Sequence, residues 1–438
     1  MVTVAYLANQ FPSPVEPYVA DEIEELRGRG VRVVAGTVRR RRNRGVSMEA
    51  MDPEITLWPL SAIVTVRAAW LCLRKGRQLI PILCRILFGG SERAGRRLRA
   101  LAHTFLGACY AVELKSRRVG HIHVHHGYFA SWIAMTAARM LAVGYSLTLH
   151  GSDLLVDPTF MDFKLAHCGF CRTISEYNRN YILEHYPDVD PGRVIVVRLG
   201  VDFEGPIARD VRKKANSEQH FNILSVGRLH AVKDHAFLIR ACSELYERGL
   251  QFQCMIAGEG PERPRLEALI EKLGLAEQVV LLGHVAHEQL GGFYDRADVT
   301  VLTSRSEGIP VVLMEAMARG VIVLAPDITG IPELVVPGET GFLYEPGSLE
   351  SLVKRMMWIE GLIREEKRPG SGLDPSPLTG ALNLVRQKAR AHVQRRFHRR
   401  NNLQLFAERL LAEITDKSES LANEDSVLQQ IQLSVQRN

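Results

Sequence analysis

The stretch Ser304-Arg-Ser-Glu-Gly-Ile-Pro-Val-Val-Leu-Met-Glu-Ala-Met-Ala-Arg-Gly320 places two carboxylates, Glu307 and Glu315, on either side of a helix start. It follows an apolar run, and Pro310 suits a first turn, so a helix is expected over 310–319. The unpaired N–H groups and dipole of such a terminus favour a phosphate, and Gly308 allows close approach. Glu307, just outside the turn, is placed to accept hydrogen bonds from sugar hydroxyls; Glu315, inside the helix, can take a ribose diol. A lone Glu on a helix is ordinarily a solvated charge. This pair gains weight from Gly227-Arg-Leu-His-Ala-Val-Lys-Asp234, where Arg228 and Lys233 sit on a loop between a strand and a helix and can together neutralise a diphosphate.

Two other groupings invite a metal reading. In His121-Ile-His-Val-His-His126, alternation puts His121, His123 and His125 on one face of a strand, which suits packed histidines or a metal site. The pair Cys168-Gly-Phe-Cys171 lacks a second pair at zinc-ribbon spacing, which favours two buried or incidental thiols. Seven cysteines, an odd number, and an opening run Val2–Ala8 that leads straight into Asn9-Gln10 rather than a cleavage site suggest a reducing, cytoplasmic setting.

These residues need elements to hold them. Val2–Ala8, a helical pattern through Tyr18, Ile23 and Leu26, and Val31–Ala35 read as strand, helix, strand, the opening of a doubly wound α/β domain. Further strands are expected at His121–Val124, Tyr145–Leu149, from Arg172, and at Val194–Arg198, with a helix over Ser131–Leu141. A first domain is expected over 1–205, followed by a polar linker over 206–220. Over 221–362 alternation resumes, with strands at 221–226, 252–257, 279–282, 299–303, 321–325 and 341–344 and helices at 234–248, 262–273, 287–296, 310–319 and 348–360. The Pro-, Gly- and charge-rich residues 363–380 read as a mobile insertion, 381–416 as helices and 417–438 as a polar tail.

The chain of 438 residues is 46% hydrophobic and 24% charged, the composition of a globular protein with room for two or three domains. Its charge of +6 singles out neither nucleic acid nor membrane, but the distribution is uneven. From Arg39 to Arg99 there are 14 Lys or Arg against 4 Asp or Glu, a surplus of +10 that exceeds the whole chain's, so the remainder is slightly acidic. Trp58, Leu60, Ile63, Val64, Trp70, Leu71, Leu73, Ile80, Ile82, Leu83, Ile86, Leu87 and Phe88 add apolar area beside these cations, as on an interfacial helix against anionic lipid; helices that only cover a sheet would leave the same composition. Nucleic acid is not expected, because no recognised DNA-binding pattern or aromatic platform occurs. The most apolar stretch, Ser61–Phe88, is interrupted by Arg67, Arg74, Lys75, Arg77 and Arg85, which argues against a spanning helix.

Taken together, Glu307 and Glu315 in an E-x7-E motif and Gly227, Arg228, Leu229 and Lys233 in a G-R-L-x-x-x-K loop resemble the family 4 glycosyltransferases of the retaining GT-B type. Gly258-Glu-Gly260-Pro261 and Gly283-His284-Val285 are similar to that family's turns beside the nucleotide. Phe11-Pro-Ser-Pro-Val-Glu-Pro-Tyr-Val-Ala-Asp-Glu-Ile23 is similar to the F-P-x-x-S-E-T-F-x-x-x-E-I opening of its exopolysaccharide members, colanic-acid-type transferases included. Val15 and Pro17 depart from that opening, and no Gly-rich turn follows the first strand.

The resemblance implies two Rossmann-like, doubly wound domains facing a deep interdomain cleft. It also implies transfer of a hexose from a nucleotide diphosphate sugar to a glycan or lipid-linked glycan, with retention, by front-face attack guided by the departing phosphate. Carried over residue by residue, Arg228 and Lys233 bind the diphosphate, Glu315 the ribose and Glu307 the donor sugar. The backbone of Gly308, Ile309, Pro310, Val311 and Val312 lines phosphate and sugar, while Gly227, Gly258, Gly260, His284 and Val285 complete the donor site. In Thr148-Leu-His-Gly-Ser-Asp153, His150 contacts the donor sugar from the opposite domain; Glu16, His126, Gly127 and Asp153 lie on the acceptor side. No cofactor or metal is implied, since cations and a helix terminus do the work of Mg²⁺. The expected place is the cytoplasm, with the inner face of the plasma membrane as the place of any peripheral contact. A catalytically silent sugar-nucleotide-binding or scaffold protein and a GT-B nucleotide-sugar epimerase are the alternatives.

Overall fold

The computed structural model describes residues 2–13, 16–39, 52–202, 220–367 and 377–415. These form two compact units, one of the described residues up to Val197 joined by 401–415, the other of those over Arg198–Arg400.

The first unit is built on a seven-stranded sheet of β1 (Thr3–Ala8), β2 (Arg32–Arg39), β3 (Ile55–Trp58), β4 (His121–His125), β5 (Gly144–Leu149), β6 (Phe170–Thr173) and β7 (Val194–Val196). Its order is β3-β2-β1-β4-β5-β6-β7, with every pairing parallel. Every residue of β1 is buried, as a near-continuous apolar run covered on both faces requires. One face carries the helices Ala94–Lys115 and Phe129–Leu141, whose Tyr110, Ile133 and Ala137 are in the larger core. Against the other face lie the helix Pro17–Gly28 and a helix over 399–415, where Ile23, Leu26, Phe406 and Leu410 cluster with Val4 and Tyr6. Strand order reverses between β1 and β4, so the ligand crevice of this sheet is expected beyond their carboxyl ends, where His125, His126 and Gly127 leave β4.

The second unit has a six-stranded sheet of β8 (Phe221–Val226), β9 (Phe252–Ala257), β10 (Val279–Gly283), β11 (Val299–Val301), β12 (Ile322–Pro326) and β13 (Phe342–Tyr344), in the order β10-β9-β8-β11-β12-β13, again parallel. Its reversal lies between β8 and β11. The loop 227–234 leaves the first of these strands and the segment 302–310 the second, so both cation and carboxylate motifs arise at the switch point.

Several boundaries differ from those expected. The first unit stops at Val197 rather than near 205, and the final helix returns to it because Phe406, Ala407 and Leu410 form an apolar stripe that finds cover on β1 and β6. Strand β3 was not expected, since its burial alternates over only four residues inside a cationic, helix-rich segment. Helix Leu349–Lys367 continues into the supposed insertion through the helix-forming Arg364-Glu-Glu-Lys367, and helix Pro377–Arg396 opens on a proline at its first position. The expected linker lies outside the described residues except for His220, and the polar tail lies wholly outside them.

Candidate active site

In the second unit, hydrogen bonds from the end of β11 bring the two motif loops together. Thr303 Oγ1 donates to the carbonyls of Lys233 and Asp234, 3.1 Å each, and the N–H of Arg305 donates to Val232 O at 2.8 Å. Arg305 Nε also meets Asp234 Oδ2 at 2.7 Å. Held this way, Lys233 Nζ forms an ion pair with Glu307 Oε1, so the cation and carboxylate expected at diphosphate and sugar are neighbours. Thr329 Oγ1 donates to Glu307 O at 2.6 Å and fixes the loop from behind. Arg228, in contrast, is exposed, and its neighbour Leu229 anchors the loop by being fully buried.

The glycines of Gly258-Glu-Gly260 have a steric cause. A Cβ on Gly258, whose φ is +154°, would lie 1.9 Å from Gly227 O, and one on Gly260 would lie 2.3 Å from Leu229 O. They let the turn after β9 press against the Arg228 loop, where Leu229 N–H donates to Glu259 O at 2.9 Å. The N–H of Gly258 donates to Gly283 O at 2.8 Å, which sets the turn that carries exposed His284 and half-buried Val285.

The helix expected over 310–319 is Val311–Ala318, with Pro310 at its N-cap and no capping side chain. Ile309 and Pro310 are buried; Gly308, Val311 and Val312 are partly so. Glu315 is not a solvated charge: Oε2 accepts a hydrogen bond from Tyr294 Oη at 2.8 Å, and Oε1 lies 2.8 Å from His287 Nε2. That bond to Glu315 raises the pKa of the largely exposed His287, against a smaller cost of burial. Tyr294 and His287, both on the helix His287–Arg296, were missed by motif reasoning; their only signal is the i, i+7 placement on one face of that helix.

In the first unit, Asp153 is fully buried and accepts from three backbone N–H groups: Gly151 at 2.8 Å, Gly127 at 2.9 Å and His150 at 3.0 Å. Burial opposes its charged form, but the contact with His126 and these N–H donors hold its pKa below the usual carboxylate value. Asp153 therefore shapes the loops that carry Gly127 and His150 and is not itself presented to an acceptor. His126, with φ +66°, lies 3.0 Å from Glu16 Oε1 and 3.5 Å from Asp153 Oδ2. Burial works against its charge, yet these two carboxylates raise its pKa to about 9. Its ring stands 4.3 Å from that of His150, which Tyr18 stacks at 4.7 Å on another side.

Behind His150 the strand histidines do lie on one face, all buried. His121 Nε2 and His123 Nδ1 each lie 2.7 Å from Ser146 Oγ, and His123 Nε2 is 3.0 Å from Thr148 Oγ1. His125 Nε2 is 2.9 Å from Glu22 Oε2 and its Nδ1 is 3.1 Å from His150 Nε2. Ligand atoms of Glu22, His123 and His125 lie within 4.8 Å of one another, close enough for a cation, but both nitrogens of each ring already face a protein hydrogen-bonding partner. Cys168 and Cys171 are buried free thiols whose pKa values burial raises.

Comparison with known proteins fits this geometry. Residues 207–369 match the family described as glycosyl transferases group 1. The putative colanic acid biosynthesis glycosyltransferase of Escherichia coli is 36% identical over 183 residues, which are 40% of this chain and 44% of that protein. The alpha-D-kanosaminyltransferase of Streptomyces kanamyceticus is 34% identical over 31% of this chain and 36% of its own. The match thus spans less than half the length of either relative. Among solved structures, sucrose-phosphate synthase from Thermosynechococcus elongatus superposes with a TM-score of 0.69 at 17% identity over 94% of this chain and all of that one (100%). Anabaena HepE in complex with UDP gives 0.67 at 18% identity, with coverage of 94% and 100%. Residues 207–369 thus match the glycosyl transferases group 1 family, and the two parallel α/β units of the chain have the GT-B fold.

Proposed function

We propose that the protein is a hexosyltransferase that moves a sugar from a nucleotide diphosphate donor to a glycan or lipid-linked glycan in the making of a surface or exopolysaccharide. The observation that carries this reading is the Lys233–Glu307 pair at the β8/β11 switch point, with Glu315 held by Tyr294 in the adjoining helix. Lys233 and exposed Arg228 bind the diphosphate, the helix terminus at Val311 supplies further N–H donors, and Glu315 takes the ribose. When the C1–O bond of the donor breaks, charge develops on the leaving diphosphate, and these fixed cations and dipoles stabilise it without a divalent metal. The acceptor hydroxyl forms the new bond on the face the diphosphate leaves, its proton passes to the departing phosphate oxygen, and the anomeric configuration is retained. The Escherichia coli relative named for colanic acid biosynthesis supports the polymer class of acceptor.

The test is calorimetric binding of UDP, GDP, ADP and TDP with EDTA and then with Mg²⁺, repeated on Glu315→Ala, followed by transfer assays of Lys233→Ala and Arg228→Ala. One nucleotide binding without metal and lost in Glu315→Ala, with turnover falling about 100-fold or more in Lys233→Ala, is the expected result. Unchanged turnover in both cation variants would overturn the assignment. We also assign the acceptor side of the enzyme to an anionic membrane surface, on the exposed apolar stripes of the helices Ala62–Arg74 and Gly76–Phe88.

A further inference from the structure

One imidazole, that of His125, connects buried Glu22 to His150, and Glu22 has a fixed polarity. Its Oε1 is paired with Arg172 Nη1, and Oε2 lies 2.9 Å from His125 Nε2 with Tyr6 Oη at 3.4 Å. Arg172 cannot turn away: its Nε donates to Val197 O at 2.9 Å and its guanidinium lies 4.5 Å from the centre of the Phe406 ring. Burial opposes charge on Glu22, but His125 and Arg172 hold its pKa below the usual carboxylate value. An ionised carboxylate only accepts, so the proton of His125 sits on Nε2. With a single proton on His125, placed at Nε2 by the carboxylate, its Nδ1 is the acceptor. The partner of that Nδ1 is His150 Nε2 at 3.1 Å, which must then donate.

We infer that Glu22 and His125 are positioning residues that set the tautomer of His150, so that His150 carries its proton on Nε2 and keeps the lone pair of Nδ1 for a substrate hydroxyl. The part that concerns substrate rests on the transferase reading; the proton order does not. His150 stays neutral because burial holds its pKa well below that of a free imidazole. Stacking on Tyr18, at 4.7 Å with planes 28° apart, and the backbone bond from His150 N–H to Asp153 fix the ring's orientation, so the remaining freedom is which nitrogen bears the proton. A histidine presented in the wrong tautomer keeps its place and loses its function.

The substitution Glu22→Gln reverses the chain without emptying it. Arg172 has only donors, so the new amide must turn its oxygen to Arg172 and its NH₂ to His125. His125 Nε2 then accepts, its Nδ1–H donates to His150 Nε2, and His150 is left with its proton on Nδ1. The test is two-bond ¹H–¹⁵N correlation on ¹⁵N-histidine-labelled protein, with signals assigned by His125→Gln and His150→Gln, alongside transfer kinetics. His150 is expected in the Nε2–H form in the wild type and the Nδ1–H form in Glu22→Gln. With that reversal turnover falls about tenfold or more while KM for the nucleotide sugar changes less than about threefold. An Nδ1–H form of His150 in the wild type, or unchanged spectra in folded Glu22→Gln, would overturn the inference. The wild-type spectrum decides even if the variant does not fold. Absence of transfer by a wild type with Nε2–H His150 would count against the transferase reading alone.

Discussion

At the scale of the residue, His126 shows how a site histidine is tied to stability. With a pKa near 9 in the fold and about 6.5 in an unfolded chain, it binds its proton more tightly when folded. Its contribution is therefore fully present below about pH 6.5 and is lost as pH rises through about 9. Lys164, buried and hydrogen-bonded to the carbonyls of Gly127 and Thr159, has its pKa lowered to about 7 by burial and titrates with the opposite sign over part of that range. The informative quantity is thus the difference between wild type and His126→Gln. In chemical denaturation that difference should shrink by about 2–3 kcal/mol between pH 6.5 and 9.5. A difference that stays constant across this range would mean that Glu16 and Asp153 do not hold the charge.

At the scale of the element, the loops that carry the candidate site were the most legible part of the chain because their pattern is local. Glu307, Arg228 and Lys233 lie on loops at the ends of strongly patterned strands and Glu315 inside the helix that follows, and the parallel order of β8 and β11 brings both loops to one switch point. What remained illegible depends on side chains that meet across the sequence. Glu22 reaches His125 over 103 positions, and Tyr294 reaches Glu315 from a neighbouring helix, and no periodicity encodes either contact. Short strand β3 and the returning C-terminal helix were hidden for a related reason, since only the sheet that receives them gives them a partner. The turn after β9 offers a test of element packing. Gly258→Ala places a Cβ 1.9 Å from Gly227 O at φ +154°, whereas the nearest atom to a Cβ on Gly227 is 3.6 Å away. Gly258→Ala should cost about 3 kcal/mol or more and Gly227→Ala less than about 1 kcal/mol, read from urea midpoints. Equal midpoints would show that the loop carrying Arg228 yields freely.

At the scale of the whole molecule, the distribution of charge and apolar surface separates one region from the rest. Residues 58–99 hold 9 Lys or Arg against 1 Glu, more than the net +6 of the chain. On helix Ala62–Arg74, Ile63, Val66, Trp70 and Leu73 are exposed at the spacing of one helical face, while Ala68 and Leu71 face the core. Helix Gly76–Phe88 repeats the pattern, with Ile80, Leu87 and Phe88 outward and Leu79, Ile82 and Ile86 buried. Leu73 and Phe88 are each 84% exposed, on faces where a helix that only covers a sheet would carry charge. Arg67, Arg74, Arg77, Arg93 and Arg99 stand exposed in the same segment, so a surface complementary to this face would be both apolar and anionic. Among the described residues no helix is long and apolar enough to cross a membrane. Each buried Leu or Phe contributes about 1.5–3 kcal/mol and each cation about 1 kcal/mol near an anionic surface. Flotation with phosphatidylglycerol-containing vesicles should therefore retain the protein at low salt and release part of it at high salt, and neutral phosphatidylcholine vesicles should retain far less. The double substitution Leu73→Glu, Phe88→Glu should weaken binding about 100-fold or more with nucleotide binding unchanged. Retention by neutral and anionic vesicles alike would show that the cations play no part, and retention undiminished by the double substitution would show that this face does not dock on lipid.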